Sequence, residues 1–429
     1  MTIRFYNAYI LTMQPGCCIF MGEVHVKDDT IAFVGTSGDS EYKNIMEFDR
    51  EIDVRGNLLM PGFKDAHTHS PMTFLRSYAD DMPLQKWLYE KVFPLEARLD
   101  DESVYYFTKL AIMEYLTSGI TSCFDMYSWQ ESMASAAADC GFRYVVCGTV
   151  NDFKDSAEKQ EELYLKINKI SPLVSYRMGI HAEYTTSYRL LNELACVSRK
   201  YNAPVYMHNS ETRKETDDCI KKYGLTPTGL FDDIGLFDYG GGGFHCVYLT
   251  DNDIDIFRNK KLYVITNPAS NAKLASGIAP ITKILENNIP VAIGTDGPAS
   301  NNCLDMFREM YLVTALQKLQ LSDASACPPE LVLDMAAVKG AHAMGLENND
   351  TIKFGNKADI ILIDLSQPNM QPQGNIIRNI VYSGSKQNVY MTMVNGKILY
   401  MNGEFFIDEE KEYIYKKVNR LFSDIIDGL

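Results

Sequence analysis

Histidine is scarce in this chain, seven in 429 residues, and five of the seven close short apolar runs. His67 and His69 end the run LLMPGFKDAHTH as His-Thr-His. In a strand, residues i and i+2 point to the same face, so two imidazoles there can share one metal ion. By itself H-x-H reads equally well as a pair of core imidazoles. His181, His208 and His245 end three further runs, and Asp296 ends another within Gly-Thr-Asp-Gly. Taken singly, each histidine reads as a hydrogen-bonded core residue; taken together they read as a metal site. Three histidines and a carboxylate suit a borderline divalent ion, zinc first and Fe(II) second. Such an ion lowers the pKa of bound water toward about 7 and makes hydroxide available. Glu211 follows His208 by three residues, in His-Asn-Ser-Glu, which puts it in the next loop, near that water. A carboxyl group there can shuttle protons. Its competing role is that of a helix N-terminal Glu favoured by the dipole.

The elements that must position these groups alternate regularly. Eight β-type runs (LLMPGFKDAHTH, TSCFDMY, RYVVCGTV, VSYRMGIHAEY, APVYMHNSE, GGGFHCVYL, KLYVITNPAS and PVAIGTDGPAS) are separated by helical stretches such as ESVYYFTKLAIMEYLTSG and SYRLLNELACVSRKY. That rhythm predicts a (β/α)8 barrel, whose strands converge their C-terminal ends on one catalytic face. The competing arrangement is an open doubly wound sheet; no G-x-G-x-x-G follows the first run to support a dinucleotide site. Two-metal barrels usually need a bridging carboxylate, often a carbamylated lysine on the fourth strand, and VSYRMGIHAEY has no lysine. One metal ion is therefore expected.

Both chain ends read differently from the middle. IRFYNAYIL, GEVHVKDDTIAFVG and MEFDREIDVRGN alternate with period two, as do ADIILIDL, NIVYSG and VYMTMVNGKILYMNGEFF, the last with two Asn-Gly hairpin signals. Each end is short for a core of its own. The prediction is one small β-sandwich assembled from residues 1–60 and 351–429, with a C-terminal helix, around a barrel over 61–350.

Composition narrows the partners. With 41 Lys+Arg against 56 Asp+Glu the net charge is −15, which argues against nucleic-acid binding. Hydrophobic residues at 46% and charged residues at 23% are ordinary globular values. No run approaches the roughly 20 apolar residues of a membrane helix, and the N-terminus reads as strand and turn rather than as a signal peptide. Ten cysteines without a CxxC pair, several in apolar runs, read as free thiols in a reducing, cytoplasmic compartment. A homo-oligomer is compatible with all of this.

These residues resemble a family. MPGFKDAHTHSPM, RSYADDMPLQKWLYEKVFPLE, GITSCFDMY, HNSET, HCVYLTD, NPASNAKLASGIAP, GTDGPASNN and GNKADIILIDL are similar to stretches of the amidohydrolase superfamily. Within it they look most like the methylthioadenosine/S-adenosylhomocysteine deaminases, neighbours of the triazine chlorohydrolases. The resemblance covers nearly the whole chain. It implies that His67, His69, His208 and Asp296 bind the metal. It further implies that Glu211 protonates a ring nitrogen, His245 orients the water and Asp296 takes a proton from it. Glu96, in Phe-Pro-Leu-Glu, matches a residue that grips ribose hydroxyls, and His181 matches a substrate-contacting histidine. Against these stand a solvated loop carboxylate and a core imidazole.

The implied reaction is hydrolytic deamination of an adenine-type nucleoside: methylthioadenosine, 5′-deoxyadenosine, adenosine or S-adenosylhomocysteine. Metal-bound hydroxide attacks C6 and ammonia is released. The alternative is another heterocycle hydrolase, guanine deaminase-like or a chlorohydrolase. The chain departs from the family pattern after the third run. CGTVND lacks the arginine expected to read the homocysteine carboxylate, and Lys159 is only a loose match for a second one. The substrate's 5′ end is therefore expected to be uncharged. NPASNAKL reads as pocket lining or as a turn and cap, and Trp87 and Phe93 as a pocket roof or as packing. The four consecutive glycines before Phe244 have no explanation in the sequence.

Overall fold

The computed structural model describes residues 1–429 except 17, 37, 40–46, 79, 83, 154 and 428–429, and for 84 and 85 the backbone alone. Met46 of the third N-terminal run, and Ala79 and Pro83 of the RSYADDMPLQKW stretch, lie outside the described residues.

Eight parallel strands form the middle of the chain in sequential order. They are Phe63–Thr68, Ile120–Met126, Arg143–Cys147, Val174–Ile180, Val205–Asn209, Gly241–His245, Tyr263–Thr266 and Val291–Ile293, called the first to eighth here. Helices separate most of them, and ESVYYFTKLAIMEYLTSG and SYRLLNELACVSRKY lie in the helices Asp101–Thr117 and Tyr188–Tyr201. The segment after the eighth strand returns to the first: Asp296 N donates to His67 O at 2.9 Å, and Thr295 donates from N and Oγ1 to the buried Asp65 carboxylate at 2.8 and 2.6 Å. The barrel reading holds, and this return excludes the open doubly wound sheet.

Ala66, Phe124, Val145, Cys147, Tyr206, Phe244, Ile265 and Ala292 pack inside the barrel. At its floor Tyr206 OH donates to the carbonyl of Ala343, in the short helix Gly340–Met344. Packing at that end leaves the opposite rim, at the C-terminal strand ends, for the site.

The two chain ends form one further sheet, nine strands among the described residues and mostly antiparallel. Leu58–Pro61 from the N-terminal part pairs with Ile360–Ile363 from the C-terminal part, which joins the two contributions. Both Asn-Gly pairs make turns with positive φ at each residue: Asn395 (51°), Gly396 (75°), Asn402 (51°) and Gly403 (87°). That is the twist a two-residue hairpin needs. The chain leaves this sheet for the barrel at Gly62, where a Cβ would lie 2.1 Å from Thr121 Cγ2. LLMPGFKDAHTH is thus two strands, not one.

One expected strand is a helix. NIVYSG falls largely within Ile376–Tyr382, capped by Asn375, whose side chain accepts from Arg378 N at 3.0 Å. Ile376, Ile380 and Val381 are its buried residues, a helical spacing that overrides their β-branched preference. The helix Lys411–Ile426 is the last element among the described residues. No helix among the described residues is long and apolar enough to cross a membrane.

Candidate active site

His67 lies in the first strand and His69 just beyond it; His208 lies in the fifth, His245 ends the sixth and Asp296 follows the eighth. Nε2 of His69 is 3.1 Å and Nε2 of His67 is 3.7 Å from Asp296 Oδ1. One ligand atom from each of His67, His69 and Asp296 lie within 4.8 Å of one another, and so do those of His67, His208 and His245.

The second nitrogens are tied back. His69 Nδ1 donates to Met126 O, His208 Nδ1 to His181 O at 2.7 Å, and His245 Nδ1 to Asn271 Oδ1 at 2.8 Å. For His208 and His245 the bond leaves Nε2 as the free lone pair, whereas Nε2 of His69 faces the Asp296 carboxylate. Burial lowers His69, but the hydrogen bond and charge of Asp296 outweigh it and raise it to about 9. His67 is fully buried with neither ring nitrogen partnered, its ring stacked on Phe244 at 3.8 Å between centroids. Burying an imidazole unpaired is costly, and a lone pair among three more nitrogen and oxygen donors is what a zinc-type ion requires. The donor set therefore fits a divalent cation. Burial, and then the neighbouring charges of His69 and His208, hold His67 well below the usual imidazole range. Burial, with His181 and His245 beside it, does the same to His208. For Asp296, burial pushes upward, but the His69 hydrogen bond and the charges of His69, His245 and His67 outweigh it. The carboxylate is thus ionised and these two imidazoles neutral, the forms that bind metal.

Asp296 is held by more than its strand. Ser270 Oγ and Ser300 Oγ (3.0 Å) donate to Oδ2, and Gly297 N (2.8 Å) to Oδ1. Its φ is 59°, and His245 (67°), Cys246 (51°) and Ser210 (52°) share the left-handed region. Such backbone costs about 1–3 kcal/mol per residue and gathers where function requires it.

Glu211 is buried, its Oε2 4.0 Å from His245 Nε2 and its Oε1 accepting from Ser276 Oγ at 3.1 Å. Its own loop is gripped by Glu215, which accepts from the backbone N–H of Ser210 (2.9 Å), Glu211 (2.8 Å) and Thr212 (3.3 Å). The N-terminal capping role thus belongs to Glu215, in a capping box with Thr212, and Glu211 faces inward. Burial and then the Glu211 charge push the Glu215 carboxyl up to about 7 against those three bonds.

One cavity of about 340 Å³ is lined by His69, His181, His208, Glu211, His245 and Asp296, and also by Glu96. Glu96 sits in the short helix Phe93–Glu96 and accepts from Tyr127 OH at 2.6 Å. His181 hydrogen-bonds through Nδ1 to Thr185 Oγ1 at 3.0 Å; burial and then the His69 charge push it down to about 4. Trp87 and Phe93 also line the cavity. No lysine or arginine does among the described residues, and Lys159 instead pairs with Asp155 at 3.3 Å with its side chain exposed. Thr149 and Asn151, from the CGTVND stretch, line it, with the exposed aromatics Phe153 and Tyr89.

Sequence reading missed the supports. Ser270 and Asn271 of NPASNAKL reach Asp296 and His245, while Ser276, Ser300, Glu215 and Tyr127 fix the rest. The only signal was their nearness to the quoted motifs. Three of the four glycines gain a steric account; at Gly240, whose φ is 85°, a Cβ would meet nothing within 4 Å. A Cβ on Gly241, whose φ is 122°, would lie 1.9 Å from Val205 O; on Gly242, 2.4 Å from Tyr263 O; on Gly243, 2.7 Å from Cys246 Sγ. The sixth strand passes too close to its neighbours for side chains just before Phe244 and His245.

Known proteins are similar to this chain in sequence and in fold. A model of the Amidohydrolase family matches residues 58–399. A 5-methylthioadenosine/S-adenosylhomocysteine deaminase of Caldanaerobacter subterraneus subsp. tengcongensis is 36% identical, covering 100% of this chain and 99% of its own. A 5′-deoxyadenosine deaminase of Methanobrevibacter smithii is 37% identical over 94% of each chain. Among solved structures, an adenosine deaminase from Xanthomonas campestris with bound zinc superposes with a TM-score of 0.93 at 29% identity, covering 100% of this chain and 99% of that one. An atrazine chlorohydrolase from Arthrobacter aurescens, 18% identical with a TM-score of 0.88 over 98% of this chain and 100% of its own, shares the fold. The chain belongs to the amidohydrolase family.

Proposed function

We propose that this chain is a hydrolytic deaminase that removes the 6-amino group of adenine-type nucleosides as ammonia, using one divalent ion, zinc in preference to iron. The observation that carries the reading is that His69, His208, His245 and Asp296, the Glu211 carboxylate and the Glu96 carboxylate all line one cavity. Its volume lies within the ~300–1,000 Å³ of small-molecule sites. The names of the full-length relatives point the same way, and the zinc in the Xanthomonas campestris structure supports the choice of ion.

His67, His69, His208 and Asp296 hold the ion. When bound, it supplies Lewis acidity that makes a water nucleophilic near neutral pH. The chain's own groups do the rest. His245, its tautomer set by Asn271, orients the attacking water, and Asp296 accepts its proton. Glu211 delivers a proton to N1 of the purine as oxygen adds to C6. The C6–N bond then breaks: the amine leaves as ammonia with the proton that Asp296 took from water, and the proton still on the C6 oxygen returns to Glu211, leaving the C6 carbonyl. Glu96 receives the ribose hydroxyls: Tyr127 occupies one of its oxygens and orients the carboxylate. His181 contacts the substrate from the end of the fourth strand. With no described cation in the lining, and Phe153 and Tyr89 at the exposed part of the wall, the 5′ substituent is uncharged.

An ammonia-release screen of the metal-loaded protein tests this. The panel is adenosine, 5′-deoxyadenosine, methylthioadenosine, S-adenosylhomocysteine, guanine and a chlorotriazine. Turnover led by a nucleoside with an uncharged 5′ end is expected. Guanine or the chlorotriazine as best substrate would replace the reading with another heterocycle hydrolase.

A further inference from the structure

The helix Met306–Leu321 places a carboxylate beneath the active-site rim that none of the roles above uses. Glu309 is fully buried. Its Oε2 accepts from Ala269 N at 3.0 Å and its Oε1 from Asn301 Nδ2 at 2.7 Å. The same Asn301 nitrogen donates to Thr295 O at 2.7 Å. Burying a carboxyl group is costly unless hydrogen bonds hold it, and the partners here come from two different loops. Ala269 lies in the first turn of the short helix Pro268–Lys273, and the next two residues act on the site: Ser270 donates to Asp296 Oδ2, and Asn271 accepts from His245. Asn301 follows Ser300, which donates to Asp296 Oδ2 at 3.0 Å. Thr295 immediately precedes Asp296.

We propose that Glu309 is a positioning residue: one buried carboxylate clamps the loops after the seventh and eighth strands together, setting the hydroxyls on Asp296 and the amide on His245. Asp296 and His245 need fixed orientations because one takes the water's proton and the other aims it. Displacing their supports leaves both groups present but misaligned, and the cost falls on the chemical step rather than on binding. The inference rests on the roles proposed above for Asp296 and His245.

The test compares Glu309→Gln with the unmodified chain, both metal-loaded, using nucleoside deamination and metal content. Glutamine keeps the shape but turns one acceptor into a donor facing a donor, either Ala269 N or Asn301 Nδ2. The expected result is a kcat loss of roughly 10-fold or more, KM within about twofold and full metal content, the scale on which residues supporting metal ligands act. Combining it with Ser270→Ala separates positioning from mere stability. If Glu309 acts through Ser270, the two losses overlap and the double variant is less impaired than their product; independent effects multiply. Normal kcat in folded, metal-loaded Glu309→Gln, a loss confined to KM or explained by missing metal, or multiplicative losses would overturn the proposal. If Glu309→Gln does not fold, Asn301→Ala decides by the same criteria. Failure of the deaminase reading itself appears separately, as absence of turnover in the unmodified chain.

Discussion

Glu211 and Glu215 stand four residues apart with different duties, and the contacts divide them. Glu215 spends both oxygens on backbone N–H groups, whereas Glu211 points one at Ser276 and the other toward His245. Glu211→Gln keeps the size but cannot deliver a proton. We predict full metal content and a rate loss of about 10²-fold or more, read by metal analysis beside steady-state turnover. Near-normal turnover would remove Glu211 from the chemistry. His67→Ala removes the imidazole with two unpartnered nitrogens. It should lose metal and, since an ion that binds only the folded state stabilises it, lower Tm relative to the metal-loaded parent. Full metal occupancy would contradict the assignment. The five clustered histidines were legible because a scarce residue recurring at strand ends is a strong coincidence. Ser270, Asn271 and Ser276 were not, because serine and asparagine in a turn bond their own backbone just as readily. Only the folded path of the chain reveals which they choose.

Strands announce their inward residues by spacing, but close approach of backbones leaves no such trace. That is why the glycines of the sixth strand were noticed and not explained, and why Gly62 did not divide its run. Gly241→Ala would put a methyl group 1.9 Å from Val205 O at a φ of 122°. It should destabilise by more than about 1 kcal/mol and, by moving His245, reduce turnover. Gly224→Ala, also at positive φ (74°) but with nothing within 4 Å, should cost only the ordinary left-handed penalty of about 1 kcal/mol and leave turnover unchanged. Equal effects in denaturation and assay would argue against crowding as the reason for the glycines. NIVYSG misled in the opposite direction. Its β-branched residues suggested a strand, while Asn375 and the buried spacing of Ile376 and Ile380 specified a helix.

At the scale of the molecule, the terminal sheet is anchored to the barrel by buried charge. Arg143, opening the third strand, donates twice to Asp359, at 2.7 and 3.1 Å, and Asp359 also accepts from Asn349 Nδ2 and Asn395 N. Arg143→Met strands that carboxylate and should cost about 3–5 kcal/mol in denaturant unfolding; a change near zero would show the pair to be dispensable. Burial pushes the Asp359 carboxyl upward, but Arg143 and the hydrogen bonds prevail, so its pKa is lowered. A depressed carboxylate contributes stability above its unfolded value near 3.9 and loses it as pH falls through the folded value, so acid should weaken the parent more steeply than Arg143→Met. The barrel and the joining of both chain ends were legible because eight alternations and two short β-rich ends admit few other arrangements. How the two units lock together was not, since Arg143 and Asp359 lie 216 residues apart with no local signal. The cavity on the barrel's rim joins a metal-type donor cluster to Glu96, and the central claim is that this combination deaminates nucleosides. The most direct measurement is kcat/KM for ammonia release from adenosine and from free adenine, in the metal-loaded parent and in Glu96→Ala. The account predicts a large preference for adenosine in the parent, collapsing in Glu96→Ala through a raised KM, because a site built to bond a hydroxyl rejects the analogue that lacks it. Adenine turned over as well as adenosine, or a silent Glu96→Ala, would contradict it.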